Sequence, residues 1–576
     1  MASSEYHNID GPITCQIFSD GQEIEFLHML ISVETAVSFG RLPTAEVVFQ
    51  DSIDNLEICE SDQLQIGSEM EIKMGREDDL SCIFRGVVCS RGLKYGKSGA
   101  EVVVTAKHKA FRMTHALSFR IFEDMTDADI IKQICADHAV DADVDDTPVP
   151  HEHLMQYNCS DWDFINMRAE SAGLLLSATP DGIKIAKPDP GASPVVTVGA
   201  SYSVNSISIE VNGKDIFPGV SAQGWNYISQ SFDESEVQAG AADMEQGALK
   251  SSDLAGMIGN ENLTLRFLSG QNSPDAMQMV AESLSMRSDL SRITGTLAIP
   301  GLGGVNPADV IALEGFGKHY DGKAFVSAVV HNYAKNDWET TLALGLSQTP
   351  FYDKFSDIDT RAADGQTPSA PGLQIAKVEA LEGDPQGDER IRVKLLGNDE
   401  AALWARIALL DAGKDRGSIF MPEIDDEVVV GFLAGNPSEP VVLGMLHSSS
   451  LSSPVPKSDD NHIKGFVTRS QLTVEFDDDK KVLTLKTPGG NSLVLSDDAQ
   501  GITIEDQNGN KLSMTSDGIS LESAKDVQIK AKGDVKAEGV NIEMNANAQL
   551  AVKGSASAEI SSSGNTVVKG SIVQIN

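Results

Sequence analysis

Residues 477–576 alternate apolar and polar positions and contain no aromatic residue, the last one in the chain being Phe476. Apolar residues two positions apart, with polar residues between them, are typical of extended strands. Glycines interrupt the pattern at short intervals, as turns between strands require. The sequence therefore predicts a ribbon of very short strands. Its clearest apolar pairs are Ile502 and Ile504, Leu512 and Met514, Ile519 and Leu521, Val527 and Ile529, Ile542 and Met544, and Leu550 and Val552.

Such a ribbon has no following helix to cover its apolar residues, whereas independent stability needs several strands and a closed core. The coils of a single-chain solenoid would recur at about 20 residues or more, and we find no such long period. A disordered tail is the alternative, but the alternation is too regular for one. We therefore expect an intertwined oligomeric β-helix. Its shaft should narrow where the inward residues become small, at Ala546, Ala548, Ala551, Ala556 and Ala558.

The charge balance restricts the partners of the chain. Lys and Arg number 45 against 85 Asp and Glu, a formal net charge of −40. Nucleic acids and anionic membranes are bound through basic surfaces, so we expect no nucleic-acid partner. No stretch reaches the ~18 apolar residues of a membrane span, and the first ten residues lack the features of a secretory signal. We expect a protein held in the cytoplasm, without stable membrane insertion, and exported by a specialised machine.

The sequence divides into segments of different character. Residues 10–120 are rich in strand patterns, two helices are predicted after Thr126 and after Ser160 or Asp161, and residues 239–259 and 274–290 also have helical patterns. Five or six short strands follow a polar linker, as in a small Greek-key barrel such as an OB fold. The predicted domains are a mixed α+β body (1–354), a linker (355–371), the OB-fold barrel (372–447), a second linker (448–464) and the ribbon (465–576).

Residue patterns that suggest chemistry have simpler structural interpretations. Asp141, Asp143, Asp145 and Glu152 have the spacing of a calcium loop, but the turn glycine is absent and prolines forbid the exiting helix. His151 and His153 have no visible third ligand, and we interpret them as a solvated pair in a loop. His331 lies on an apolar strand, which favours a hydrogen-bonded core histidine. All six cysteines lie in the first 160 residues without a CxxC motif and are predicted to be buried thiols: Cys15, Cys59, Cys82, Cys89, Cys135 and Cys159.

Several longer segments resemble the spike proteins of contractile injection machines, the VgrG family and the hub and spike of contractile phage tails. The matching segments are a tryptophan-containing strand at residues 404–407, a turn and strand at 412–432, a Gly-Asn-Pro turn at 435–444, and the helical segment 156–174. Asp425 departs from the family pattern, which usually has glycine there. The likeness extends over nearly the whole chain.

The resemblance implies a homotrimer. The three bodies would form a hub on a hexameric Hcp-like tube and contact baseplate proteins, the OB-fold barrels a collar, and the ribbons a triple-stranded β-helical needle. The end of the needle would bind a PAAR-like tip protein, and the spike would carry effector cargo. The machine would be a type VI secretion system, an extracellular injection particle or a phage tail. The residues expected at the docking end are Ser571, Ile572, Val573, Gln574, Ile575 and Asn576.

Enzymatic activity is not indicated by any motif. The chain contains neither a GxSxG nucleophile motif nor a phosphate-binding glycine motif. Acidic pairs are too frequent in so acidic a chain to single out a catalytic one. We therefore expect a spike without catalytic, cofactor-binding or metal-binding residues. Two alternatives remain: a spike with cell-wall hydrolase activity, as some related spikes have, and a carbohydrate-binding tail fibre, whose exposed aromatics the ribbon lacks.

Overall fold

The computed structural model describes residues 4–5, 11–52, 54, 56–96, 99–200, 204–226, 229–238, 240, 244–267, 274–354, 363, 367–396 and 402–575. Internal contacts divide the chain into two units, each described below by itself. The predicted domain limits stay predictions. The units are Met1–Gly372 with Phe432–Glu439, and Leu373–Gly431 with Pro440–Asn576.

The first part of unit 1 is built from strands whose alternate side chains form a core. In one of them, Ala45, Val47 and Phe49 are buried while the residues between them are not, so a period of two is sufficient to place this strand. The elements are β1 (Ser4–Glu5), β2 (Ile13–Ser19), β3 (Gln22–Glu23), β4 (Leu30–Ser38), β5 (Thr44–Asp51), α1 (Glu57–Glu60), β6 (Glu69–Arg76), β7 (Asp79–Gly96) and β8 (Gly99–Lys107).

The next elements include both helices that were predicted from capping residues. Thr126 and Asp129 form a reciprocal capping box at the first helix. At the second, Ser160 is the cap, because its hydroxyl accepts the Asp163 N–H at 3.1 Å. The elements are β9 (Leu117–Thr126), α2 (Asp127–Asp137), β10 (Ala142–Val144), β11 (Pro150–Ser160), α3 (Asp161–Ser171), β12 (Leu175–Thr179) and β13 (Gly182–Ala186).

The remainder of unit 1 confirms one predicted helix and shortens another. The helix predicted over residues 274–290 has those bounds, and the strands Gly322–Ala334 and Asp337–Leu344 form the expected hairpin. The elements are β14 (Val196–Gly199), β15 (Ser206–Val211), β16 (Gly219–Asn226), β17 (Ser231–Gln238), α4 (Ser251–Ile258), β18 (Leu263–Phe267), α5 (Pro274–Leu290), β19 (Ile293–Pro300), β20 (Val310–Glu314), β21 (Gly322–Ala334), β22 (Asp337–Leu344) and α6 (Phe351–Lys354).

The helix predicted over residues 239–259 is wrong for most of its length, since only α4 is helical; residues 239 and 241–243 lie outside the described part. Before α4 the backbone bonds to the start of β21 instead. Gly247 N donates to Asp321 O and Lys323 N to Glu245 O, each at 2.8 Å. Gly247 also has φ +67°, a left-handed conformation that glycine adopts without steric cost. Tertiary hydrogen bonds therefore override a local helix preference here.

One large sheet organises unit 1. Its fourteen strands follow the path β1-β14-β20-β21-β4-β5-β8-β7-β6-β2-β3, with β15, β19 and β22 joined at β21. Smaller sheets are β10-β13-β12, β11-β9 and β17-β16-β18. The α2 and α3 helices pack their apolar residues into one core with the 175–186 hairpin. The predicted mixed architecture is confirmed, with strands far outnumbering helices.

A closed five-stranded barrel follows and confirms the predicted OB-like fold. Its strands are hydrogen-bonded in the order β23-β24-β25-β29-β28. Ala376, Val378, Val393, Val428 and Val442 are almost completely buried in it. The elements of this region are β23 (Gln374–Ala380), β24 (Ile391–Leu395), β25 (Ala402–Ile407), β26 (Ala412–Gly413), β27 (Arg416–Gly417), β28 (Glu427–Phe432) and β29 (Pro440–Met445).

The polar residues of the 156–174 segment form hydrogen bonds with neighbouring elements of unit 1. Asp161 is buried, and its carboxylate binds Arg120 at 3.0 Å and the ring of His138 at 2.7 Å. Gln156 donates to the other carboxylate oxygen at 2.7 Å. Burial opposes ionisation of Asp161, but the hydrogen bonds of His138 and Gln156 outweigh it and lower the pKa. The carboxylate is fully occupied as a structural acceptor.

Glu170 connects three elements in the same way. One of its carboxylate oxygens accepts from the buried Arg287 of α5 at 2.5 Å, and the other accepts the Phe351 N–H of α6 at 2.6 Å. Arg287 donates further to the carbonyl of Ser347 at 2.8 Å. The sequence motif that resembles the spike family is therefore a set of structural contacts between α3, α5 and α6.

We predict that Glu170→Gln destabilises this unit by about 3 kcal/mol, because it leaves the buried Arg287 charge without its anionic partner. Glu152→Gln is the matched control, since Glu152 has a side chain that is 86% exposed and its ion pair contributes little. Urea unfolding followed by tryptophan fluorescence measures both. Equal midpoints for the two variants would contradict a structural role for Glu170.

Candidate functional site

Seven short strands follow the barrel and form a separate antiparallel sheet, each strand pairing with the next in the chain. We call this sheet, which spans residues 463–522, the ribbon. The predicted very short strands are confirmed as far as residue 522. They are β30 (Ile463–Val467), β31 (Thr473–Asp477), β32 (Val482–Lys486), β33 (Ser492–Ser496), β34 (Gly501–Glu505), β35 (Lys511–Thr515) and β36 (Gly518–Glu522).

The strand register divides the ribbon into an apolar and a mostly polar face. Directly paired residues lie on the same face of a sheet, and Leu483 pairs with Leu495, which pairs with Ile502. Leu485, Leu493 and their partners form a second row beside the first. The apolar face consists of Phe466, Val474, Phe476, Leu483, Leu485, Leu493, Leu495, Ile502, Ile504, Leu512, Met514, Ile519 and Leu521.

The described residues of the chain do not cover this face. None of the described residues from 443 to 575 is buried, and exposure on the face reaches 72% at Ile519. A sheet with one apolar face requires a packing partner for independent stability. Closing the face would remove about half the surface of each side chain from water, a gain on the order of 10 kcal/mol per chain. The apolar face is thus an association surface.

The turns along one edge of the ribbon repeat every 19 residues. Thr468, Thr487 and Asp506 each accept, through a side-chain oxygen, the backbone N–H four residues later, at 2.9–3.2 Å. In return, the backbone N–H group of each of these three residues donates to the carbonyl of the residue four positions later. The expectation that the ribbon has no long period is therefore wrong. The signal in the sequence is the pair of turns 487–493 and 506–512, each with Gly-Asn at the same two positions before a leucine.

Two asparagines in these turns connect the turns to each other. Asn491 accepts the Gln507 N–H of the next turn at 3.1 Å, and Asn510 accepts the Ala524 N–H just past the last strand at 3.2 Å. The side-chain amide and the backbone N–H of Asn510 also donate to the Asp506 carboxylate. These two hydrogen bonds lower the pKa of Asp506 to about 2. The polar side chains of the edge thus hold the spacing between successive hairpins.

Residues 523–575 are described and contain no strand, although the sequence predicts strands there. The apolar residues of this segment are exposed, for example 76% at Ile529 and 71% at Val552. An extended segment forms a ladder only when a neighbouring strand supplies hydrogen bonds, and no other part of the described chain lies beside this one as a strand. Local alternation alone does not produce a sheet.

The residues expected at the docking end lie in this same exposed segment. Ile572 and Ile575 are 87% and 91% exposed, and Val573 is 50% exposed. Ser571 and Gln574 are also exposed. Asn576 lies outside the described residues. The described part of this end presents side chains to solvent without forming a pocket or a polar cluster, so their role as a docking end stays a prediction.

The pair His151 and His153 does not lie in a simple solvated loop. His151 approaches Asp127 at 3.1 Å, and Arg168 donates to the same carboxylate at 2.6 Å. Burial opposes ionisation of Asp127, but the hydrogen bonds from His151 and Arg168 outweigh it and lower the pKa. His151 is therefore a half-buried member of a polar cluster around the buried Asp127, whereas His153 is exposed.

The other chemical patterns have structural roles. His331 is buried, its Nδ1 lies 2.9 Å from the hydroxyl of Thr340, and burial lowers its pKa to about 4. The six cysteines are free thiols, of which Cys135 and Cys159 are buried and four are half-buried. Within the described ranges, no three His, Cys, Asp or Glu side chains come together as metal ligands would. No helix in these ranges is long and apolar enough to cross a membrane.

Comparison with known protein families finds matches for three regions of the chain. Residues 10–335 match the Alg8 N-terminal domain, more than half of the chain. Residues 374–447 match the type VI secretion system/phage-baseplate injector OB domain, and residues 482–549 match the phage baseplate V C-terminal trimerisation domain. The last match contains most of the apolar face. The chain belongs to the family of the Alg8 N-terminal domain, and it also carries the OB and trimerisation domains found in type VI secretion and phage-baseplate proteins.

The proteins to which this chain is similar include two of Pseudomonas aeruginosa. The type VI secretion system spike protein VgrG1b is 22% identical over 68% of this chain, and VgrG1a is 21% identical over 74%. The aligned regions cover 55% and 68% of those proteins, so the chain spans about half the length of the first. A solved E. coli component of the type VI secretion system is 12% identical, covering 75% of this chain and 99% of its own, with a TM-score of 0.37.

We predict that Gln471→Gly stabilises the ribbon by about 0.5–1 kcal/mol. Gln471 has φ +63°, and the equivalent residues of the next two turns are Gly490 and Gly509. Relief of the left-handed conformation outweighs the added freedom of the unfolded chain. Gln507→Gly, where φ is not positive, should be destabilising by a similar amount. Far-UV circular dichroism melting of both variants measures this, and equal shifts would contradict it.

Proposed function

We propose that this protein is the trimeric spike of a contractile injection apparatus. The single observation that carries the proposal is the ribbon, a seven-stranded sheet with one continuous apolar face and no core of its own. The match of residues 482–549 to a trimerisation domain supports three as the number of chains. The match to an injector OB domain and the similarity to type VI secretion spike proteins support the contractile apparatus as its context.

Three ribbons close their apolar faces most simply as the sides of a prism. Each face then lies against the other two, and the mostly polar faces, with residues such as Thr484, Thr503 and Ser513, point to solvent. Residues 523–575 continue from the last strand and pair with no strand among the described residues of their own chain. In the trimer the three segments supply each other's ladders, as an intertwined triple-stranded β-helix.

This arrangement suits a puncturing role. Interleaved strands leave few free edges, and removing one strand requires many ladder hydrogen bonds to break together. The needle therefore resists axial load. The bodies would sit on an Hcp-like hexameric tube and contact baseplate proteins, and a PAAR-like protein would cap the needle. Effector cargo would travel with the spike, which would leave the cytoplasm through the apparatus itself.

The trimer is tested by size-exclusion chromatography with light scattering on the purified full chain. We expect a mass of three chains at micromolar concentration, because the closed faces contribute on the order of 10 kcal/mol per chain. A monomer of 61.5 kDa as the only species would overturn the proposal.

Adjacent residues on the two faces provide matched variants. Leu495→Lys places a charge on the apolar face, where burying three unpaired ammonium groups costs several kcal/mol each, so we expect loss of the trimer. Val494→Lys places the same charge on the opposite face and should leave the trimer intact. Light scattering reports both masses. If Val494→Lys dissociated the trimer and Leu495→Lys did not, the assignment of the two faces would be wrong.

The docking end is tested by deletion of residues 571–576. We expect the trimer to persist, because the apolar face lies upstream, and capture of a PAAR-like tip protein to be lost. A pull-down with that protein measures capture, and light scattering on the same sample is the control. Unchanged capture would show that the tip protein binds elsewhere.

A further inference from the structure

The 19-residue repeat of the ribbon creates a register problem for any assembly of copies. Val474 and Phe476 in one hairpin correspond to Leu493 and Leu495 in the next, and Leu483 corresponds to Ile502. If one chain slid by one repeat, about 9.6 Å or two strand spacings, apolar residues would still meet apolar residues. A slip by a whole repeat keeps every side chain on its own face, so the alternating pattern does not oppose it. A feature outside the repeat is needed to hold the chains level.

The barrel end of the ribbon has such a feature. The ring of Phe420, in the loop before β28, stacks on Phe466 of the first strand, with centroids 5.1 Å apart and planes 20° from parallel. Phe420 and Phe466 are still 49% and 48% exposed, and the neighbouring Ile419 is 82% exposed. The apolar face therefore continues past the ribbon onto the residues 419–421, which we call the shelf.

The loop that carries the shelf is fixed on both sides. Glu423 accepts from Arg469 of the first ribbon turn at 2.7 Å. On the barrel side, Asp425 N donates to the carbonyl of Val378 in β23 at 2.9 Å. The shelf is thus held in one position relative to the first strand of the ribbon, as a stop requires.

A charge lies beside the shelf at the same end. Lys464 is on the apolar face next to Phe466 and opposite Phe476. Each of the seven strands places two residues on the apolar face. Lys464 is the only charged residue among these fourteen. In chains held level, each Lys464 lies in the first strand and keeps the ion pair with its own Asp478. In a chain slipped by one repeat, Lys464 would lie against Leu483 of a neighbour, a buried charge without compensation.

We propose that the shelf and Lys464 form a register stop that contacts a second copy of this chain and holds the three ribbons level. This inference rests on the proposed trimer. It adds an interface upstream of the residues 482–549 that match the trimerisation domain. The shelf supplies apolar contact that only the level arrangement completes, and Lys464 makes the slipped arrangement unfavourable.

The test uses hydrogen–deuterium exchange with mass spectrometry on full-length trimers. The double variant Phe420→Ser/Lys464→Leu removes both parts of the stop while keeping the repeat intact. Lys486→Leu is the matched control, because Lys486 lies at the end of β32 on the opposite face. Light scattering first establishes the mass of each protein. Peptides from residues 463–477 and 511–522 then report the two ends of the ribbon.

For the parent and the control we expect a single isotope envelope for each peptide. The double variant should remain a trimer but show a second, faster-exchanging envelope, because slipped chains leave an end hairpin uncovered. Lys464→Leu alone should show a smaller second envelope. A single envelope at the parent rate in the double variant, or its dissociation to monomers, would overturn the register stop. A monomeric parent would instead overturn the proposed trimer.

Discussion

The apolar face of the ribbon is the constraint on which the C-terminal half of this protein depends. Its side chains line up in two rows because the strands are five residues long and each turn returns the chain in register. The same geometry prevents the sheet from covering itself, since a flat meander has no element that folds back over it. The described part of the chain therefore supplies no cover for the ribbon, and this is the basis of the proposed trimer.

The apolar residues of unit 1, in contrast, are covered within the unit. Its strands bury their apolar residues against helices and other strands, and its polar motif residues form hydrogen bonds within the unit. Asp161, Arg168 and Glu170 each lie in hydrogen-bonded clusters that join separate elements. Both carboxylate oxygens of Asp161 and of Glu170 accept hydrogen bonds from donors within the unit.

Sequence reasoning predicted the elements whose causes are local. Thr126 and Ser160 cap helices where their side chains reach the first free N–H groups, and the apolar pairs of the ribbon follow the period of a strand. It failed where distant hydrogen bonds decide. Residues 245–247 bond to β21 and are not helical, and His151 joins a cluster formed by α2 and α3. The 19-residue repeat was missed because its third copy is two residues shorter at the turn before β36, and because turn positions carry threonine in some copies and aspartate in another.

The sequence by itself determined which residues of the ribbon point the same way and where the chain turns, because both depend on the two-residue strand period and on side chains that bond within five residues. Only the tertiary structure decided which rows lie side by side and that the resulting face has no cover. It also decided that the strand pattern after residue 522 forms no ladder within the chain. These outcomes depend on hydrogen bonds between separate strands, which a local pattern permits but does not supply.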